Sequence, residues 1–132
     1  MHTRSGLAFS TILLALILLT VHYLGMRFYI YWSVSWYDLV VHCLGGITVA
    51  FVATLFAEYL WNKRLRLKSV FFITLFVAIC WEIYEYIFGL SGASGHYWTD
   101  TLSDILMGFI GSIIGVYVIR LFFAVKNEQS TK

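Results

Sequence analysis

Long apolar runs alternate with short polar breaks along this chain, and the pattern predicts four helices. A helix needs about 20 mostly apolar residues, at about 1.5 Å each, to cross about 30 Å of hydrocarbon. The four predicted spans are residues 7–24, 39–61, 70–88 and 102–123. Because the sequence contains no proline, it lacks the commonest cause of a helix kink, and we expect the helices to be fairly straight.

Composition supports the membrane interpretation. Hydrophobic residues make up 61% of the chain and charged residues 12%, with a mean hydropathy of +0.82. A typical soluble domain is about 45–50% apolar and about 25% charged. We therefore expect an all-α fold, a bundle of four transmembrane helices that forms a single domain over residues 1–132. Membrane lipids are the expected surroundings, a homo-oligomer is left open, and we expect no nucleic-acid partner.

The first span resembles a secretory signal, because Arg4 precedes its apolar run. No small-x-small cleavage site follows it, since the run leads into Val21, His22, Tyr23 and Leu24. We expect this span to be retained as a membrane helix.

Basic residues predict the orientation of the bundle. The segment 62–68, between the second and third spans, carries four positive charges in seven residues. Cytoplasmic loops of membrane proteins are enriched in Lys and Arg. Eight of the nine basic residues then lie on one side, with Arg27 alone on the other. This predicts a multi-pass protein of the cytoplasmic (inner) membrane with both termini in the cytoplasm.

Acidic residues and one histidine form pairs where the spans reach the outer side. The pairs are Asp38 with His42, Glu82 with Glu85, and Asp100 with Asp104. Their i,i+3 or i,i+4 spacing puts both members of a pair on one helix face. Depth divides the six into an outer layer of Asp38, Glu85 and Asp100 and an inner layer of His42, Glu82 and Asp104.

Charge balance indicates what these residues bind. A carboxylate at the centre of a span costs about 2.5–3.5 kcal/mol on insertion scales, and such residues usually face a cavity or one another. Five converging carboxylates require shared protons or a bound cation. Carboxylates and imidazole from several helices are typical of metal centres. The predicted metal ligands are His42, Glu82, Asp104 and His96, and the ion is left open among Zn, Mg, Mn, Ca and Fe.

The remaining three carboxylates have two possible roles. Asp38, Glu85 and Asp100 are predicted to be catalytic, either as further ligands or as a general base. Alternatively, Asp38 and Asp100 could cap the helices that they begin, since Asp is a preferred N-cap residue. Capping does not explain Asp104, which lies a full turn inside the fourth span.

The same residues carry a family resemblance. The motifs are Tyr37-Asp38-x-x-x-His42, Glu82-x-x-Glu85, and Asp100-x-x-x-Asp104 followed by Gly111 and Gly115. Over roughly residues 37–118 the chain resembles the VanZ-like family of small bacterial integral membrane proteins. Members of that family typically have Gln where this chain has Glu85 and Asn where it has Asp104, so this chain is more acidic. The resemblance implies a bacterial inner-membrane protein whose relatives are associated with glycopeptide (teicoplanin) resistance or are uncharacterised, and it supplies no reaction.

Three functions are compatible with the sequence. The first is a metal-dependent membrane hydrolase or phosphotransferase that acts on a lipid or lipid-linked phosphate of the cell envelope. The second is a cation- or proton-coupled transporter or channel subunit, in which the same carboxylates bind the ion in passage. The third is a non-catalytic envelope protein whose metal is structural.

Overall fold

The computed structural model of the protein describes residues 2–63, 65–89 and 97–123. Those ranges contain α-helices and no strand. The helices are α1 (His2–Arg27), α2 (Ile30–Ser33), α3 (Tyr37–Trp61), α4 (Leu67–Phe88) and α5 (Tyr97–Phe123). The predicted all-α fold is confirmed.

Four of these helices are long and apolar enough to cross a membrane: α1, α3, α4 and α5. They confirm the four predicted spans, and each begins a few residues earlier than the apolar run alone indicates. Large apolar side chains such as Phe72 and Phe122 are about three-quarters exposed. Such faces suit a hydrocarbon solvent, because lipid tails are as apolar as these side chains.

Helix α3 lies at the centre of the bundle, where it contacts α1, α4 and α5. The tightest contact is between α3 and α5, and glycines make it possible. A Cβ atom added at Gly46 would lie 1.9 Å from the carbonyl oxygen of Gly108, and one at Gly111 would lie 1.9 Å from that of Cys43. Because only glycine leaves room for such a contact, the two backbones approach closely.

The two ends of the bundle differ in chemistry. At one end, called the acidic end below, lie the first turns of α3 and α5, which contain Asp38 and Asp100. At the other end, called the basic end, α3 stops at Asn62 in a left-handed conformation. The Arg4 guanidinium of α1 donates a hydrogen bond to the Asn62 side chain there.

The well-packed apolar core lies towards the basic end. Two small clusters of buried side chains fill it, one of Leu7, Phe51 and Ile119 and the other of Ala50, Val70 and Val116. At the acidic end, the helices instead meet through polar side chains and glycine contacts.

Candidate functional site

Helix α3 contributes Asp38 and His42 to the acidic end. Their i,i+4 spacing puts both on one face, where His42 Nε2 lies 3.4 Å from Asp38 Oδ1. The N-cap position of α3 is occupied by Trp36, which makes no side-chain capping bond. The Asp38 carboxylate therefore faces His42 from inside the first turn of the helix.

Helix α4 contributes Glu82 and Glu85, and both are buried, with 7% and 9% of their surface exposed. Each carboxylate has a partner that fixes one of its oxygens. The Trp81 indole N–H donates to Glu85 Oε1 at 2.7 Å. The Thr101 hydroxyl of α5 donates to Glu82 Oε2 at 2.8 Å. Sequence reasoning missed the Thr101 bond, because no spacing rule connects residues on different helices.

Helix α5 contributes Asp100 and Asp104. Asp100 lies in the first turn and is half-buried, whereas Asp104 lies one turn further and is only 3% exposed. Asp104 Oδ2 is 4.0 Å from His42 Nε2, which connects α5 to α3. The close glycine contact between these two helices brings the two side chains together.

Three triads at the acidic end each offer ligand atoms that lie within 4.8 Å of one another. They are His42–Glu82–Asp104, Asp38–His42–Glu85 and Asp38–Asp100–Asp104. The first, called the deep triad below, consists of the three residues of the predicted inner layer and draws one residue from each of α3, α4 and α5. The predicted outer layer does not form a triad of its own, because its members group with His42 or with Asp104 instead.

The deep triad contains polar atoms that the described part of the chain does not satisfy. Glu82 Oε1 and Asp104 Oδ1 are buried and have no hydrogen-bond partner among the residues that the structure describes. An unsatisfied buried polar atom costs about 1–3 kcal/mol, and more if it is charged. A cation between the two carboxylates would satisfy both atoms and would offset their mutual repulsion.

An aromatic wall lies beside the triads. The His22 ring contacts the Trp81 ring edge-on, with 5.2 Å between ring centres, and His22 Nδ1 is hydrogen-bonded to the Tyr31 hydroxyl at 2.7 Å. Burial raises the pKa of the Tyr31 phenol, and the nearby Asp38 carboxylate raises it further. Tyr31 belongs to the short helix α2, which the apolar pattern did not predict.

His96, which was also predicted as a metal ligand, lies outside the described residues. His22 lies near the site but belongs to none of the three triads. The donor set of the described site is thus one imidazole and five carboxylates. Such a set fits a divalent cation, since carboxylates suit Mg, Ca and Mn, and imidazole suits Zn and Fe.

Comparison with known proteins agrees with a membrane assignment. No curated protein and no solved structure matches the chain. The family model of a predicted membrane protein matches residues 1–125, which include all four apolar helices. This is a multi-pass membrane protein, and it belongs to the family described as "Predicted membrane protein (DUF2238)".

Proposed function

We propose that this protein binds a divalent metal ion through the deep triad and uses it on a lipid or lipid-linked phosphate. The observation that carries the proposal is the convergence of His42, Glu82 and Asp104 from three helices, with ligand atoms within 4.8 Å of one another. Membrane insertion alone gives no reason for this arrangement, because insertion favours spans without carboxylates.

Electrostatics supports a cation at this place. The two carboxylates of the deep triad are nearly fully buried, and each has one oxygen without a partner in the described part of the chain. Like charges at such close range disfavour ionisation unless a positive charge compensates them. Because the triad combines imidazole with carboxylates, Zn, Mn and Fe are the first ions to test, followed by Mg and Ca.

A metal at this site would supply Lewis acidity towards a phosphoryl oxygen. Without a cation an acidic cleft repels phosphate, so the same ion would also make the site attractive to the substrate. Asp38, Glu85 and Asp100 surround the deep triad and are proposed as further ligands or as the general base. Trp81 and Thr101 act as positioning residues, since each donates a hydrogen bond to one carboxylate of α4.

The proposed location is the cytoplasmic membrane, with the acidic end at its outer face and both termini in the cytoplasm. The basic segment between α3 and α4 supports this orientation, because it lies at the end opposite the triads. A bacterial envelope role also accords with the resemblance of residues 37–118 to the VanZ-like family, which is part of this proposal.

Transport of a cation or proton is the second candidate, and three hydroxyls of α3 and α5 weigh against it. Thr48, Thr54 and Ser112 each donate their hydroxyl to a carbonyl oxygen of their own helix. A hydroxyl that donates to the backbone of its own helix provides a poor relay for protons or cations towards the basic end. The carboxylates of the triads all lie at the acidic end, and this asymmetry suits a pocket better than a conduit.

Elemental analysis of the purified protein tests the metal proposal. The wild type is expected to retain one divalent ion per chain, and Glu82→Gln and Asp104→Asn are expected to lose it. Glu58→Gln is the matched control, because Glu58 is a carboxylate of α3 far from the triads. A wild type without metal under metal-replete conditions would contradict the proposal.

An assay of lipid-phosphate turnover in vesicles, with and without chelator, then distinguishes a catalytic metal from a structural one. Turnover that stops on chelation and returns with added metal supports the enzyme. A metal-loaded protein that turns over none of the lipid phosphates tested would favour the structural role.

A further inference from the structure

A large apolar groove begins at His42 of the deep triad and runs towards the basic end. Its volume is about 660 Å³, and α1, α3 and α4 form most of its walls, with Gly108 of α5. His42 and Trp81 line it at the acidic end, and Leu60, Trp61 and Leu65 line it at the basic end. His42 is thus shared between the groove and the deep triad.

The groove is nearly as long as the hydrocarbon core is thick. Between His42 and Leu60, helix α3 advances 18 residues, which is about 27 Å at 1.5 Å per residue. A bilayer core is about 30 Å thick, so one leaflet contributes about 15 Å. An acyl chain of ordinary length in one leaflet would fill only half of the groove.

The shape of the groove suits a narrow, extended occupant. It runs for about 27 Å along helix α3, and its volume is about 660 Å³. A single hydrocarbon chain can follow this length from His42 to Leu60.

The lining suits a hydrocarbon chain. Small residues recess the wall, among them Gly45, Ala53 and Ala78, and most of the others are aliphatic or aromatic. The hydroxyl of Thr48 is already bonded to the carbonyl oxygen of Leu44. Thr74 is the polar exception, since its hydroxyl has no hydrogen-bond partner within the described ranges.

We infer that the groove holds the single hydrocarbon chain of a lipid phosphate whose headgroup lies at the deep triad. The chain is longer than one leaflet, as in a polyisoprenyl phosphate. The identity of the headgroup rests on the proposed function. The binding site for the hydrocarbon chain is inferred from the groove alone. One molecule with a charged end and a long apolar tail matches both the polar end and the apolar length of this surface.

Photolabelling tests the inference. The probe is a polyisoprenyl phosphate with a diazirine at the far end of its chain, mixed into phosphatidylcholine vesicles that contain the full-length protein. Labelling is expected in the peptide that contains Phe56, Leu60 and Trp61. A phosphatidic acid with ordinary acyl chains and terminal diazirines is expected not to reach that peptide. Equal labelling by both probes would overturn the claim about chain length.

Gly45→Leu is designed to block the groove. Gly45 lines the groove, and a Cβ added there meets nothing within 4 Å, so a larger side chain starts in open space. Labelling is expected to fall to background. Cys80→Leu is the control, because Cys80 is exposed on α4 and does not line the groove, and it is expected to label like the wild type. Wild-type labelling of Gly45→Leu would overturn the inference.

Two further measurements keep the outcome unambiguous. If Gly45→Leu fails to fold, Ala78→Phe blocks the same groove from α4. Native mass spectrometry in mild detergent examines the other possible occupant, a second copy of the chain. A wild-type dimer that becomes a monomer on groove blocking would overturn the inference.

If the protein holds no metal and the long probe still labels the basic end, the proposed function is wrong, but the binding site for the hydrocarbon chain is supported.

Discussion

His42 Nε2 lies 4.0 Å from Asp104 Oδ2, and this contact joins the two helices that pack most closely in the bundle. The distance depends on glycine, since Gly46 and Gly111 allow the backbones of α3 and α5 to touch within one turn of His42. Helix packing and the chemistry of the deep triad are therefore coupled. A change that separates α3 from α5 should reduce stability and metal affinity together.

Substitution of Gly46 by Ala tests this coupling. The added Cβ would collide with the carbonyl oxygen of Gly108, so α5 must move away. Overpacking of this kind costs about 1–3 kcal/mol. We expect a lower melting temperature in detergent micelles and weaker metal binding, measured by thermal unfolding and by titration with the metal.

The neighbouring glycine is the control for that experiment. Gly45→Ala adds a Cβ into open space, and in a helix Ala is favoured over Gly by up to about 1 kcal/mol. Its melting temperature is expected to equal or exceed that of the wild type. If both variants behave alike, close packing of α3 against α5 does not determine the stability of the bundle.

Thr101→Val removes the hydrogen bond to Glu82 Oε2 while keeping the shape of the side chain. Residues that orient a metal ligand typically contribute about 10- to 100-fold in metal affinity. We expect a loss of that size, together with a lower melting temperature of the metal-free protein, because Glu82 Oε2 is left buried without its donor. Ser103→Ala is the matched control, because Ser103 is exposed and donates to the carbonyl oxygen of Thr99. A similar loss in the control would show that any hydroxyl on this turn has the same effect.

The helices were predictable from the sequence because each apolar run is long enough to span a bilayer by itself. Their starts were harder to predict, since polar residues such as Lys68 and Asp100 lie within the first turns of α4 and α5. Apolar patterns do not mark residues that extend a helix into the interface.

The site could be predicted only in part. Spacing on one helix placed Asp38 with His42 and Asp100 with Asp104, since both pairs lie one turn apart. The bond from Thr101 to Glu82 depends on the rotation of α5 relative to α4, which spacing along one helix does not specify. The groove beside His42 was missed for the same reason, because its walls come from helices that are distant in sequence.

Metal binding should weaken as the pH falls. Carboxylates and imidazole bind a metal in their unprotonated forms, so protons compete with the ion for the deep triad. We expect the apparent affinity to fall between about pH 7.5 and about pH 5.5. Calorimetric titrations in two buffers with different ionisation enthalpies would also detect protons released on binding. An affinity that is independent of pH over this range would argue against ligands of these types, and Glu58→Gln should follow the wild-type profile.

The proposed orientation predicts which cysteines a membrane-impermeant maleimide reaches in intact cells. Ser35, in the exposed segment between α2 and α3, lies at the acidic end, and Lys63, just after α3, lies at the basic end. With Cys43 and Cys80 replaced by Ala, we expect Ser35→Cys to be labelled in intact cells. Lys63→Cys should be labelled only after permeabilisation, because the basic segment stays in the cytoplasm. The reverse pattern would place the deep triad near the cytoplasmic face, where the lipid phosphate would have to enter from the inner leaflet.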